Sequence, residues 1–202
     1  MKEFARKIVK FILKMLVIIV YRPKTVGIEN IPEGEGALIC PNHVHGLDSV
    51  VIVLTNKRII RVLAKESLFK NPILRWLASI FGVYPVKQGN KSMEAMKMSL
   101  KILKSNELLL IFPEGTRNGM AKGVKAKDGA IRLAAKSGKP IIPVGVQGNF
   151  KPFRKIKLNI GKPIYYNLTK EEVNDREKLR ELTDELMNVI VKLRDEKIWN
   201  NI

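Results

Sequence analysis

The sequence predicts an α/β fold: a single layered domain with a largely parallel or mixed central sheet flanked by helices, preceded by an N-terminal amphipathic helix. Three observations point there. Apolar runs of strand length alternate along the chain with longer stretches of helical period. The glycines and prolines fall at turns, and no linker, internal repeat or low-complexity segment divides the chain. Its 202 residues, 46% of them hydrophobic, suit one core with room for a cleft.

The first element is basic. Residues 1–25 carry Lys2, Arg6, Lys7, Lys10, Lys14, Arg22 and Lys24 against Glu3 alone. At about 100° per residue, Arg6, Lys7, Lys10 and Lys14 gather on one side of a helix, while Phe4, Ile8, Phe11, Ile12 and Met15 cover the remainder. The uninterrupted apolar run Met15–Tyr21 is far shorter than the roughly 20 residues that cross a bilayer. The segment, residues 1–22, therefore reads as a helix docked in a membrane interface, with residues 1–21 meeting an anionic lipid surface. Packing on the protein's own core is the competing reading. A cleaved signal peptide is opposed by Tyr21, Arg22 and Pro23, which stand where a small-residue cleavage site would be needed.

Residues 23–202 hold the remaining elements. Ala37–Cys40 is a short apolar strand ending at Pro41, and Leu47–Leu54 suits a helix, which puts His43 in a strand-to-helix turn. Arg58–Ala64 alternates as a strand. Asn71 followed by Pro72 is an N-cap and first-turn signature for a helix through Ile80. Val83–Val86 is the next strand, and Met93, Met96, Leu100 and Leu103 recur at helical spacing. The methionines from Met93 to Met98 read as core filling. Leu108–Phe112 is a buried strand run, and Ile131–Ala135 sits in a short helix ended by Gly138. Ile141–Val146 and Ile156–Ile160 are the last strands, and Thr169 with Glu172 forms a capping box opening the C-terminal helical region.

A formal charge of +18 calls for an anionic partner: nucleic acid, anionic lipid or phosphorylated metabolites. Only 6% of residues are aromatic and no recognition-helix, zinc or RNA-binding signature is present, which argues against nucleic acid. The single cysteine, Cys40, forms no internal disulfide and gives no sign of an oxidising compartment, so a cytoplasmic face is expected.

Two segments carry candidate chemistry. In Pro41, Asn42, His43, Val44, His45, Gly46, Leu47, Asp48, a histidine and an aspartate five apart straddle a bend across which their side chains can converge. A carboxylate bonded to one ring nitrogen fixes the tautomer, and the other nitrogen then takes a proton from a hydroxyl. A satisfied structural pair is the alternative. Asn42 suits bracing of the turn. Reading His43, His45 and Asp48 as a metal cluster lacks a further His or a second Cys to complete the site. No metal or cofactor is called for.

The second segment, Ile111, Phe112, Pro113, Glu114, Gly115, Thr116, Arg117, Asn118, also leaves a buried run for a polar turn. Such a turn exposes backbone N–H groups, and Arg117 offers a planar fork that suits phosphate. Glu114 is as well suited to forming the turn as to touching substrate.

Together the two segments resemble the defining motifs of the glycerolipid acyltransferase family. The resemblance runs from about Val26 to Pro163. Lys65, Glu66 and Leu68 resemble a family segment preceding a helix. Gly82, Tyr84, Pro85, Val86, Lys87 and Gln88 resemble the second motif, and Ile141, Ile142, Pro143 and Val144 the fourth. The second motif usually ends in arginine; here Gln88 stands there, leaving Lys87 or Lys91 to supply charge.

The resemblance implies transfer of a fatty acyl group from acyl-CoA or acyl carrier protein to the hydroxyl of 1-acylglycerol 3-phosphate (lysophosphatidic acid), giving phosphatidic acid. His43 would be the general base, Asp48 its orienter, and Glu114, Gly115, Thr116, Arg117 and Lys87 the acceptor-binding residues. No acyl-enzyme is implied, and the chain has no G-x-S-x-G elbow. Another lysophospholipid acceptor, or a non-catalytic basic membrane- or nucleic-acid-binding protein, remains open at this point.

Overall fold

A computed structural model of the chain describes residues 2–86 and 92–196. Its strands are β1 (Lys24–Val26), β2 (Ala37–Pro41), β3 (Ile60–Lys65), β4 (Val83–Val86), β5 (Leu108–Leu110), β6 (Ile141–Gln147) and β7 (Lys157–Ile160). The α-helices are α1 (Lys2–Tyr21), α2 (Asp48–Thr55), α3 (Pro72–Phe81), α4 (Ser92–Lys104), α5 (Gly129–Ser137) and α6 (Arg176–Asp195). The strands form one mixed sheet in the order β1-β7-β6-β2-β5-β3-β4. The run from β6 to β4 is parallel throughout, β7 is antiparallel to β6, and β1 lies parallel to β7. The expected α/β layering with a mixed sheet is what forms.

The central strands read as unbroken apolar runs because both faces of the sheet are covered. Period-2 alternation sorts β2 cleanly. Ala37 and Ile39 join a cluster with Val51, Ile52 and Val53 of α2. Leu38 and Cys40 point the other way, among Ile102 and Leu103 of α4, Ile131 of α5 and Ile190 of α6. Met96 and Met98 pack against this second cluster, whereas Met93 is exposed.

Local signals set the element ends. The Asn71 side chain accepts from the N–H groups of Ile73 and Leu74 and starts α3, and Gly138 stops α5 at φ +65°. The Thr169–Glu172 box forms both reciprocal bonds, but it caps a 3-10 turn, Glu172–Asn174. The long helix α6 starts later, with Asp175 accepting from Glu177 and Lys178 N–H. β3 begins two residues after Arg58, whose guanidinium turns aside to donate to the carbonyls of Pro32, Glu35 and Asn106. β5 ends at Leu110 rather than Phe112; Ile111 still donates to the Ile39 carbonyl at 3.0 Å, and Phe112 then leaves the ladder for a contact at the site.

The N-terminal helix forms as expected, and none of its residues with a described side chain is buried. Phe4, Ile8, Phe11, Ile12 and Met15 are all exposed, while Val17 and Tyr21 lean on the first cluster. Among the described residues no helix is long and apolar enough to cross a membrane.

Candidate active site

β2 and β5 are adjacent and parallel, with Ile39 opposite Leu110, so the turns that leave their C-terminal ends emerge side by side. That edge is where parallel sheets gather functional groups. The first turn holds His43 and runs into α2. The second holds residues 113–118. Sheet order alone brings together segments 71 residues apart in sequence.

His43 Nδ1 lies 2.8 Å from Asp48 Oδ2. The same oxygen accepts the N–H groups of Val44 at 2.7 Å and His45 at 2.9 Å. Asp48 is fully buried at the first turn of α2, where the helix dipole favours negative charge. An acceptor-only carboxylate assigns the ring proton to Nδ1 and leaves Nε2 of His43 with its lone pair open, able to accept a proton. His43 itself keeps 17% side-chain exposure, and its ring stacks on Phe112 at 3.9 Å between centroids. Phe112 makes that contact as it leaves the ladder after Ile111.

The His43 backbone is held from both sides by the second turn. Its N–H donates to Glu114 Oε1 at 2.7 Å, and its carbonyl accepts the Asn118 N–H at 2.6 Å. Glu114 is 2% exposed, and its other oxygen accepts the Met120 N–H at 3.0 Å. Both carboxylate oxygens are thus spent on backbone donors. Asn42 braces the turn from beneath, exchanging two hydrogen bonds with the Val146 backbone on β6.

Gly115 adopts φ +64°, a left-handed conformation that glycine takes without strain, and its N–H closes the turn onto the Phe112 carbonyl at 3.0 Å. Thr116 and Arg117 are exposed. Their N–H groups, and the Arg117 guanidinium, have no hydrogen-bond or ion-pair partner among the described residues. Arg117 leans toward the histidine turn, since a Cβ built on Gly46 would fall 3.7 Å from Arg117 Nη1. Lys127 is a cation that the sequence reading passed over. Its side chain lies along Gly115, where a Cβ would meet Lys127 Nζ at 3.5 Å, and its N–H fixes it to the Pro113 carbonyl at 2.9 Å. Two cations and two N–H groups without a partner among the described residues thus gather at one turn, an arrangement that can hold an anion. Lys87, Gln88 and Lys91 lie outside the described residues.

His45 turns away from the pair and stacks on Phe150 at 4.9 Å. Its Nδ1 accepts the Leu47 N–H at 3.2 Å. Among the described residues no group of three His, Cys, Asp or Glu side chains could hold a metal. Burial pushes the Cys40 thiol far above the usual thiol range, which suppresses the thiolate that a nucleophile requires.

Beside the turn, an apolar cavity of about 410 Å³ runs between α1, α2 and α3. Gly46 and Ser49 line its end near Asp48, and Leu13, Val53, Leu77 and Phe81 line its walls. Its volume lies in the roughly 300–1,000 Å³ range of small-molecule pockets.

The site thus sets a buried carboxylate bonded to a histidine between exposed cations and an apolar cavity, on a covered mixed sheet. The family model described as Acyltransferase matches residues 22–147, well over half of the chain, and the chain belongs to that family. The 1-acyl-sn-glycerol-3-phosphate acyltransferase of Bacillus subtilis is 30% identical over 83% of this chain and 85% of its own length. A chloroplastic 1-acyl-sn-glycerol-3-phosphate acyltransferase of Brassica napus is 27% identical over 81% of this chain and 52% of its own; this chain therefore spans about half the length of that relative. The crystal structure of the 1-acyl-sn-glycerophosphate acyltransferase PlsC from Thermotoga maritima shares the fold, with a TM-score of 0.70 at 23% identity, covering 97% of this chain and 84% of that one.

Proposed function

We propose that this protein transfers a fatty acyl group from acyl-CoA or acyl carrier protein to the free hydroxyl of 1-acylglycerol 3-phosphate, while docked on an anionic membrane through α1. The observation that carries the reading is the His43–Asp48 pair at 2.8 Å, clamped by its backbone to the turn that bears Arg117. A phosphate held at that turn brings the acceptor hydroxyl toward the imidazole, and the neighbouring cavity takes the fatty chain. The names of the Bacillus subtilis and Brassica napus relatives support this acceptor.

In the proposed reaction, Nε2 of His43 takes the hydroxyl proton as the oxygen attacks the thioester carbonyl. The carbon–sulfur bond breaks, the ester forms, and His43 returns the proton to the leaving thiolate. Asp48 holds the Nδ1 proton and balances the imidazolium charge that arises between the two steps. Arg117 and Lys127, with the N–H groups of Thr116 and Arg117, bind the acceptor phosphate, and Lys87 adds charge from the second motif. Glu114 acts by holding the two turns together. No acyl-enzyme enters the scheme.

Docking rests on the basic, apolar-faced α1, whose exposed Phe4, Phe11 and Leu16 suit the headgroup boundary of a cytoplasmic leaflet. Another lysophospholipid is the second reading for the acceptor, favoured by Gln88 where the second motif usually carries arginine. The test is direct: purified protein, acyl-CoA or acyl carrier protein, and lysophosphatidic acid in detergent. Wild type should form phosphatidic acid and His43→Ala should not. Equal product from both would sink the mechanism.

A further inference from the structure

We propose that α3, together with the 3-10 turn Glu66–Lys70 before it, is a second membrane-contacting element beside α1, so that lipid covers the outer wall of the apolar cavity. The inference rests on the docking of α1 and extends that surface to an element of the α/β domain itself.

The ten residues of α3, PILRWLASIF, include none that is buried. Leu77, Ala78 and Phe81 face the cavity. On the outside, Ile73 is 66% exposed, Trp76 49% and Leu68 48%. The inner face of α3 is half-buried, with Phe81 packed on the first cluster, but the outward Ile73 and Trp76 have no folding reason to be apolar, and exposed apolar surface of this kind marks an interaction site. The surface is continuous with α1, because α1 and α3 touch and both wall the same cavity, through Leu13 and Leu77.

Charge selects a bilayer as the occupant. Over residues 57–86, with Arg61 paired to Glu107 and Arg58 held by backbone carbonyls, the chain carries Lys57, Lys65, Lys70 and Arg75 against one acid, Glu66. Lys65, Lys70 and Arg75 are exposed around the apolar residues. Cations ringing apolar side chains match anionic headgroups above acyl chains, and a tryptophan at the edge suits that boundary. With lipid on both helices, a fatty chain passes between membrane and cavity without crossing water.

Trp76 provides the probe, because Trp199 is the only other tryptophan in the sequence. Full-length protein carrying Trp199→Phe is mixed with phosphatidylglycerol–phosphatidylcholine vesicles in which part of the phosphatidylcholine bears brominated acyl chains. The expected result is a blue shift and quenching of Trp76 emission. Ile73→Glu, at an exposed position outside the cavity, should weaken vesicle partitioning about tenfold, with unchanged circular dichroism and unchanged turnover of detergent-dispersed substrate. If the protein sediments with vesicles, Trp76 is unquenched and Ile73→Glu binds like its parent, α3 is not in the membrane and the docking of α1 stands. If nothing sediments, both fall. Lipid-independent dimerisation that Ile73→Glu abolishes, with Trp76 unquenched, would assign the face to a second copy and overturn the proposal.

Discussion

The Glu114 carboxylate accepts the His43 backbone N–H at 2.7 Å and that of Met120 at 3.0 Å, tying the turn that presents the imidazole to the one that presents Arg117. A charged acceptor on buried backbone donors is among the stronger neutral-to-charged hydrogen bonds. Glu114→Ala deprives both part-buried donors of their acceptor, at a cost of about 2–4 kcal/mol. On the proposed mechanism the expected kinetic result is a fall in kcat with little change in acceptor KM, because Glu114 holds the His43 backbone. Urea unfolding and steady-state kinetics read the two effects separately. A raised KM with kcat and stability unchanged would put Glu114 on the acceptor instead.

Asp48→Asn tests charge apart from shape. With its carbonyl oxygen in the Oδ2 position, the amide still accepts from Val44 and His45 N–H. Its NH₂ then takes the place of Oδ1, which is buried with no hydrogen-bond partner among the described residues. The turn survives, but in the proposed reaction the imidazolium of His43 loses its counter-charge. We expect kcat to fall by about 10²–10⁴-fold with the circular dichroism spectrum retained. Wild-type turnover would remove Asp48 from the mechanism.

The strands of this fold are legible in sequence because burial on both faces writes them as apolar runs, and Asn71–Pro72 and Gly138 mark helix ends by their own chemistry. Three-residue β1 is not, since it is too short to show a period and forms by pairing with β7. The capping box at Thr169 is real, yet Asp175 starts the long helix, because nothing local says which of two adjacent caps a helix will use. Each half of the site was visible as a motif. Their convergence was not visible in spacing, because it depends on β2 and β5 being neighbours. Lys127 could not stand out among 37 Lys and Arg; only the path of the turn over Gly115 selects it. The Lys87 and Lys91 expectation falls outside the described residues.

Cys40 supplies a pH prediction. Its folded pKa is raised by desolvation, so in alkaline solution the unfolded chain releases a proton that the native chain keeps. Stability associated with this group is complete below the unfolded thiol value of about 8.5 and is lost progressively as pH rises above it. Wild type should therefore lose more stability than Cys40→Ala between about pH 8.5 and 10, although the variant starts lower because of the cavity it creates. Native protein should also resist a thiol reagent that labels it fully in denaturant. Parallel pH slopes, or rapid native labelling, would show the thiol to be accessible.

Arg117 and Lys127 flank one turn, so their effects should depend on the acceptor carrying a phosphate. Arg117→Lys keeps the charge and loses the planar fork, and should raise acceptor KM roughly tenfold. Lys127→Ala removes a flexible point charge at an exposed position and should raise it less, by about threefold. If both grip the same anion, the double variant departs from the product of the single effects, as coupled groups do. The control is a monoacylglycerol, which offers the hydroxyl and chain without the phosphate. Wild type should turn it over poorly and the variants no worse than wild type, because the interaction they lack was never made. Equal losses on both acceptors would mean that these cations support the turn or the thioester donor, and the phosphate would then have to be held elsewhere.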